Sequence, residues 1–108
     1  MSKMKKYNKL IRDKMPEIMD SRGIKHKIRV ARDVSEYWQK LKAKLVEEAK
    51  EFKNSGDLKE LADILEVIDE ICSFKNIDRQ MIKREQKKKA KKNGRFKKRI
   101  ILVKAEVK

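Results

Sequence analysis

The stretch EEAKEFKNSGDLKELAD, Glu47 to Asp63, carries carboxylates at two matched spacings on either side of a turn. Glu48 and Glu51 stand three residues apart, as do Glu60 and Asp63, with NSG between the pairs. Residues three apart on an α-helix point the same way. Folded back at NSG as an antiparallel hairpin, Glu48 faces Asp63 and Glu51 faces Glu60, each pair equidistant from a pivot between Ser55 and Gly56. Helix axes about 8–10 Å apart let acidic side chains from both sides reach one point. A projection at about 100° per residue places Glu48 in an apolar stripe, between Leu41, Leu45 and Phe52. A carboxylate there is costly unless it is paired or binds a metal, and clustered carboxylates repel. A divalent cation reverses both penalties, and oxygen-only ligands favour Mg2+ or Mn2+. Taken singly, the same acids read as a solvated helix face with Lys44 and Lys50 as ion-pair partners. The shared pivot and the stripe position are what favour a metal.

Four helices, two of them forming this hairpin, and two short strands are expected. Val34, Trp38, Leu41, Leu45, Ala49 and Phe52 recur at helical spacing, which predicts a helix over 35–53 capped by Asp33 or Ser35. Leu58, Leu61, Leu65, Ile68 and Cys72 predict a second over 58–74. Ile64, Val67, Ile71 and Phe74 widen its apolar surface beyond one stripe, so more than one neighbour is expected to cover it, a second subunit being the simplest. Asp78 is positioned to cap a third helix, 79–92, ended by Asn93-Gly94. Pro16 suits the first turn of a short helix over 16–21, ending at Gly23. Alternation in IKHKIRVA, 24–31, predicts a strand that could pair with Ile100 to Val103. The fold class expected is mainly α: a single-domain antiparallel helical bundle with a possible two-stranded β element, completed by oligomerisation.

The chain has 108 residues and a net charge of +15. Eleven basic residues and one acid fall between Lys83 and Arg99, whereas Ser35 to Glu70 holds ten acids and six bases. A polyanion partner is therefore expected: a nucleotide, or nucleic acid through the lysine-rich 83–99 segment. One cysteine, Cys72, and one histidine, His26, make a zinc site of the usual kind unlikely to form and an internal disulfide impossible. Cys72 reads as a small buried residue, and Trp38 as core more than as a base-stacking platform. No apolar run suits a signal peptide or a membrane span, which implies a cytoplasmic protein without a membrane partner.

The E-x-x-E then E-x-x-D arrangement resembles the all-α nucleoside triphosphate pyrophosphohydrolase superfamily, which includes MazG-like proteins and phosphoribosyl-ATP pyrophosphohydrolase. YNKLIRDKMPEI (Tyr7 to Ile18), EYWQKLKAKLVEEAKEF, LKELADILEVIDEI and GRFKKRIIL look like the small MazG-like subgroup with an N-terminal YNKLVRDKIP-type segment. The resemblance implies Mg2+-dependent cleavage of a nucleotide between its α and β phosphates, releasing pyrophosphate and a monophosphate, with a house-cleaning role on non-standard nucleotides as one form. It implies Glu48, Glu51, Glu60 and Asp63 as metal ligands and a homodimer or higher homo-oligomer. The gap between the motifs is shorter than in many relatives, and Glu66 and Asp69 form a second E-x-x-D that could match instead.

In that chemistry a metal-bound water attacks, and Glu48 or Glu51 is the candidate to accept its proton. Candidates to bind the phosphates of the substrate are Arg12, Lys14, Arg95, Lys97 and Lys98. The rival expectation is a basic helical protein that binds nucleic acid or nucleotides without catalysis.

Overall fold

A computed structural model describes residues 3–108 of the chain. Four helices follow one another: α1 (Met15–Ser21), α2 (Val34–Ser55), α3 (Leu58–Lys75) and α4 (Arg79–Asn93). The class is mainly α, and each expected helix is present within two residues of its expected ends.

Local chemistry sets the ends. Pro16 lies in the first turn of α1, where its missing N–H is no loss. Asp33 caps α2 by accepting from the Glu36 N–H at 2.8 Å. The Glu36 carboxylate accepts from the Arg32 backbone N–H at 2.9 Å and from the Arg29 guanidinium at 2.6 and 3.0 Å. α2 stops at Gly56, whose φ of 67° is left-handed and open to glycine without steric cost. Its N–H bonds the Phe52 carbonyl at 2.7 Å, and α3 begins two residues later. Asn76, another left-handed residue, ends α3, and Asp78 caps α4 through the Gln80 N–H.

The hairpin of α2 and α3 is the packed unit. Its contacts obey the pivot: Tyr37 and Phe74, which the turn places opposite each other, meet edge to face with centroids 5.1 Å apart. Trp38 stacks on the same Phe74 ring at 5.9 Å and is half-buried. Leu41, Val67 and Cys72 are the buried apolar residues.

Two expectations change. Of the expected α3 stripe, Cys72 is buried and Ile68 half-buried, but the face turned to α2 also takes in Val67, while Leu58, Leu61 and Leu65 are 81%, 42% and 49% exposed. α2 alone covers one side of a helix that is apolar over most of its girth. Nor is there a strand among the described residues. Residues 24–31 and 100–103 run as irregular chain, and Ile100, Ile101, Leu102 and Val103 are all at least 79% exposed. A two-stranded ribbon needs an apolar face packed on something; 24–31 meets α2 through the polar Arg29–Glu36 pair, and the apolar residues Ile24, Ile28 and Val30 stay exposed.

Glu36 gives a pH test of the α2 start. The Arg29 guanidinium, with the Arg32 N–H behind it, holds this carboxyl at about 2 against its usual 4.5. A folded pKa below the unfolded one stabilises above the unfolded value, and the benefit is lost as pH falls through the folded value. Between about pH 5 and pH 2, the urea midpoint of the wild-type chain should therefore fall more steeply than that of Glu36→Gln.

Candidate metal centre

α2 presents Glu48 and Glu51 about two turns and one turn before its end, and α3 presents Glu60 and Asp63 in its first two turns. The tight reversal at Gly56 fixes their register. One carboxylate oxygen from each of the four lies within 4.8 Å of those from the other three. The sequence-derived set is thus brought together as expected.

The four differ in environment. Glu48 is the buried charged residue of the hairpin, 6% exposed, and its Oε2 has no hydrogen-bond partner. Its Oε1 lies 3.5 Å from the Lys44 ammonium. Burial, and then the Glu51 charge, push the Glu48 carboxyl above its usual pKa, opposed by Lys44. Glu60 is also pushed up, by desolvation and then by Glu51 and Asp63. Glu51 is exposed and Asp63 half-buried. Asp63 accepts from the Arg12 guanidinium at 2.7 Å.

A divalent cation fits this donor set. Four carboxylates and no nitrogen or sulfur ligand suit a hard cation such as magnesium. The buried, unsatisfied Oε2 of Glu48 is a ligand atom already stripped of water. The alternative motif is otherwise engaged: Asp69 pairs with Arg79, and Glu66 stands 3.9 Å from Arg12.

Of the five candidate phosphate-binding cations, the structure brings Arg12 to the acids. Lys14 is the exposed residue before α1, and Arg95, Lys97 and Lys98 lie in exposed chain after α4. These four pair with no acid among the described residues. No ion pair among the described residues therefore aims any of the four, all of them exposed, at the acids.

What places Arg12 is a set of contacts not read from the sequence. Lys9 donates to Glu47 at 2.7 Å, and Lys40 donates to the Asn8 carbonyl at 2.5 Å. Lys44 bridges Glu47 and Glu48. Together they strap residues 8–12 across the hairpin. A lone carbonyl acceptor such as Asn8 leaves no sequence signal. Beneath the strap is a cleft of about 300 Å³ that reaches from Glu48 and Asp63 toward Tyr37.

Comparison with described protein families, with curated proteins and with solved structures returns no match for this chain.

Removing the buried charge should separate stability from metal binding. Glu48→Gln is expected to raise the thermal midpoint in EDTA, because it relieves desolvation and repulsion together. The same substitution should abolish the gain in midpoint that magnesium gives the wild type. Thermal unfolding with and without magnesium reads both.

Proposed function

We propose that this chain is a magnesium-dependent nucleotide pyrophosphohydrolase, cleaving a nucleoside triphosphate between the α and β phosphates. One observation carries the reading: four carboxylates from two helices converge, with a buried Glu48 oxygen that the protein leaves unsatisfied. The resemblance to MazG-like proteins agrees with it. Manganese is the chemical alternative to magnesium.

Glu48, Glu51, Glu60 and Asp63 hold the metal. A bound magnesium ion supplies neutralisation of the phosphate oxygens and acidification of a water. Glu48 is too enclosed to exchange protons with solvent and serves as a ligand. Glu51, exposed at the rim, is the better placed group to accept the proton of the attacking water. Arg12, anchored on Asp63, stands where negative charge grows on the departing pyrophosphate. Lys44 offsets part of the acidic field from the other side.

The active form is a homo-oligomer in this reading. The chain exposes 10711 Å², against about 6,300 Å² for a compact monomer of its mass. Its radius of gyration is 18.6 Å, where about 13 Å is usual for the length. The outward Leu58, Leu61 and Leu65 give a second copy an apolar face to cover.

A second reading has its own observation. α4 buries no residue and carries cations in rows four apart, Arg79, Lys83, Lys87 and Lys91 beside Arg84, Lys88 and Lys92. Like charges at that spacing repel, and a nucleic-acid backbone would relieve them. Binding to duplex DNA that weakens steeply with salt, without nucleotide hydrolysis, would favour this reading.

The deciding experiment is a pyrophosphate-release assay over nucleoside triphosphates and oxidised or methylated analogues, with and without magnesium. Release should require the metal, and Glu51→Gln should lower kcat by about 10²–10⁴-fold while the protein stays folded. Undiminished turnover in that variant would remove the assignment. Light scattering should give a mass of at least two chains, reduced by Leu61→Lys with Leu65→Lys.

A further inference from the structure

The cleft under the strap is longer than a metal site needs. Between its ends the lining mixes apolar Leu10, Ile11, Leu41 and Val67 with the charged Arg12, Lys44 and Glu66. One end holds Glu48 and Asp63. The other holds Tyr37 with Asp13 and Glu70. We propose that this second end receives the nucleobase, and that Asp13 and Glu70 select bases bearing an amino group. The proposal deepens the pyrophosphohydrolase reading and rests on it for placing the phosphates at the acidic end.

Length supports the placement. Asp63 and Glu70 are seven residues apart on one helix, about 10 Å along its axis, the reach of a nucleoside from its phosphate to the far edge of its base. Glu48, whose Oε2 has no hydrogen-bond partner, lines the same cleft at the phosphate end. Leu10, Ile11, Leu41 and Val67 suit the flat faces of a base, and the charged groups among them can orient its edges. Tyr37 is held edge-on by Phe74 at an interplanar angle of 78°, so its ring is fixed at the base end. Asp13 and Glu70 line the cleft with it, and burial first, then their charges, raise its phenol pKa.

The chemistry of those carboxylates sets the preference. Ionised carboxylates accept hydrogen bonds and donate none. Unlike Asp63 and Glu66, Asp13 and Glu70 pair with no cation among the described residues, so their acceptor positions are free. The amino edges of cytosine, adenine and guanine offer donors to them. Uracil presents a carbonyl oxygen where cytosine presents an amino group, and hypoxanthine does so where adenine does, and acceptor then meets acceptor. A site that leaves a polar group facing the wrong partner discriminates more strongly than one that only measures size.

Paired ligands differing at that one group provide the test. Titration calorimetry with CMP against UMP and with AMP against IMP, in magnesium, should favour the amino member of each pair by about 10-fold or more. The double variant Asp13→Asn, Glu70→Gln replaces acceptors by amides that both donate and accept. It should erase the preference while keeping the magnesium-dependent gain in thermal midpoint. Equal binding within the wild-type pairs, no binding at all, or a preference unchanged in the double variant would overturn the proposal. Selective binding without hydrolysis of the matching triphosphates would sustain the base site and defeat the hydrolase reading. Hydrolysis without selectivity would do the reverse.

Discussion

Four carboxylates held within 4.8 Å of one another repel, and one of them, Glu48, is taken out of water with an oxygen that nothing in the chain satisfies. Burying a carboxylate costs several kcal/mol. Lys44 at 3.5 Å, partly exposed, returns about 1 kcal/mol at most. The apo arrangement is therefore strained electrostatically, and something else must hold it. That role falls to the hairpin: a glycine reversal that leaves no freedom of register, and the aromatic contact of Tyr37 and Trp38 on Phe74 at the opposite end. Pinned at both ends, α2 and α3 cannot slide to relieve the acids. A cation is the simplest relief, and a polyphosphate is the ligand that such a cation would bring.

The same two helices make a thin fold. Three apolar residues are buried, and large apolar side chains lie exposed on α3 and along the C-terminal chain. Among the described residues no helix is long and apolar enough to cross a membrane. Apolar surface of this extent on so short a chain is what an assembly interface looks like before its partner is in place. The electrostatic strain at the turn and the unpaid apolar surface of α3 are therefore separate demands, one met by a cation and the other by a second chain.

Charge is partitioned along the fold in a way that fits both. Acids concentrate on the hairpin and bases on α4 and the chain after it. The strap is the exception, because Lys9 and Arg12 cross onto the acidic hairpin and are held there by Glu47 and Asp63. It closes one side of the cleft and carries a cation to the rim of the acidic cluster, so the opening segment shapes the site although it has no regular structure until α1.

Helix positions were legible in the sequence because caps, turn residues and apolar spacing act locally: Asp33, Gly56 and Asp78 set ends within a few residues of themselves. The acidic cluster was legible for the same reason, since a tight turn makes the register of a hairpin a matter of counting from its pivot. Local patterns could not say which part of a wide apolar arc faces inward, and Leu58, Leu61 and Leu65 of the α3 stripe proved to face out. Alternation at 24–31 marked a strand that finds no packed partner among the described residues. Only the tertiary structure decided that Arg12, and none of the later cations, reaches the acids. That choice depends on Lys9, Lys40 and the Asn8 carbonyl meeting residues more than thirty positions away, and contacts over such separations are set by packing geometry, which no short stretch of sequence encodes.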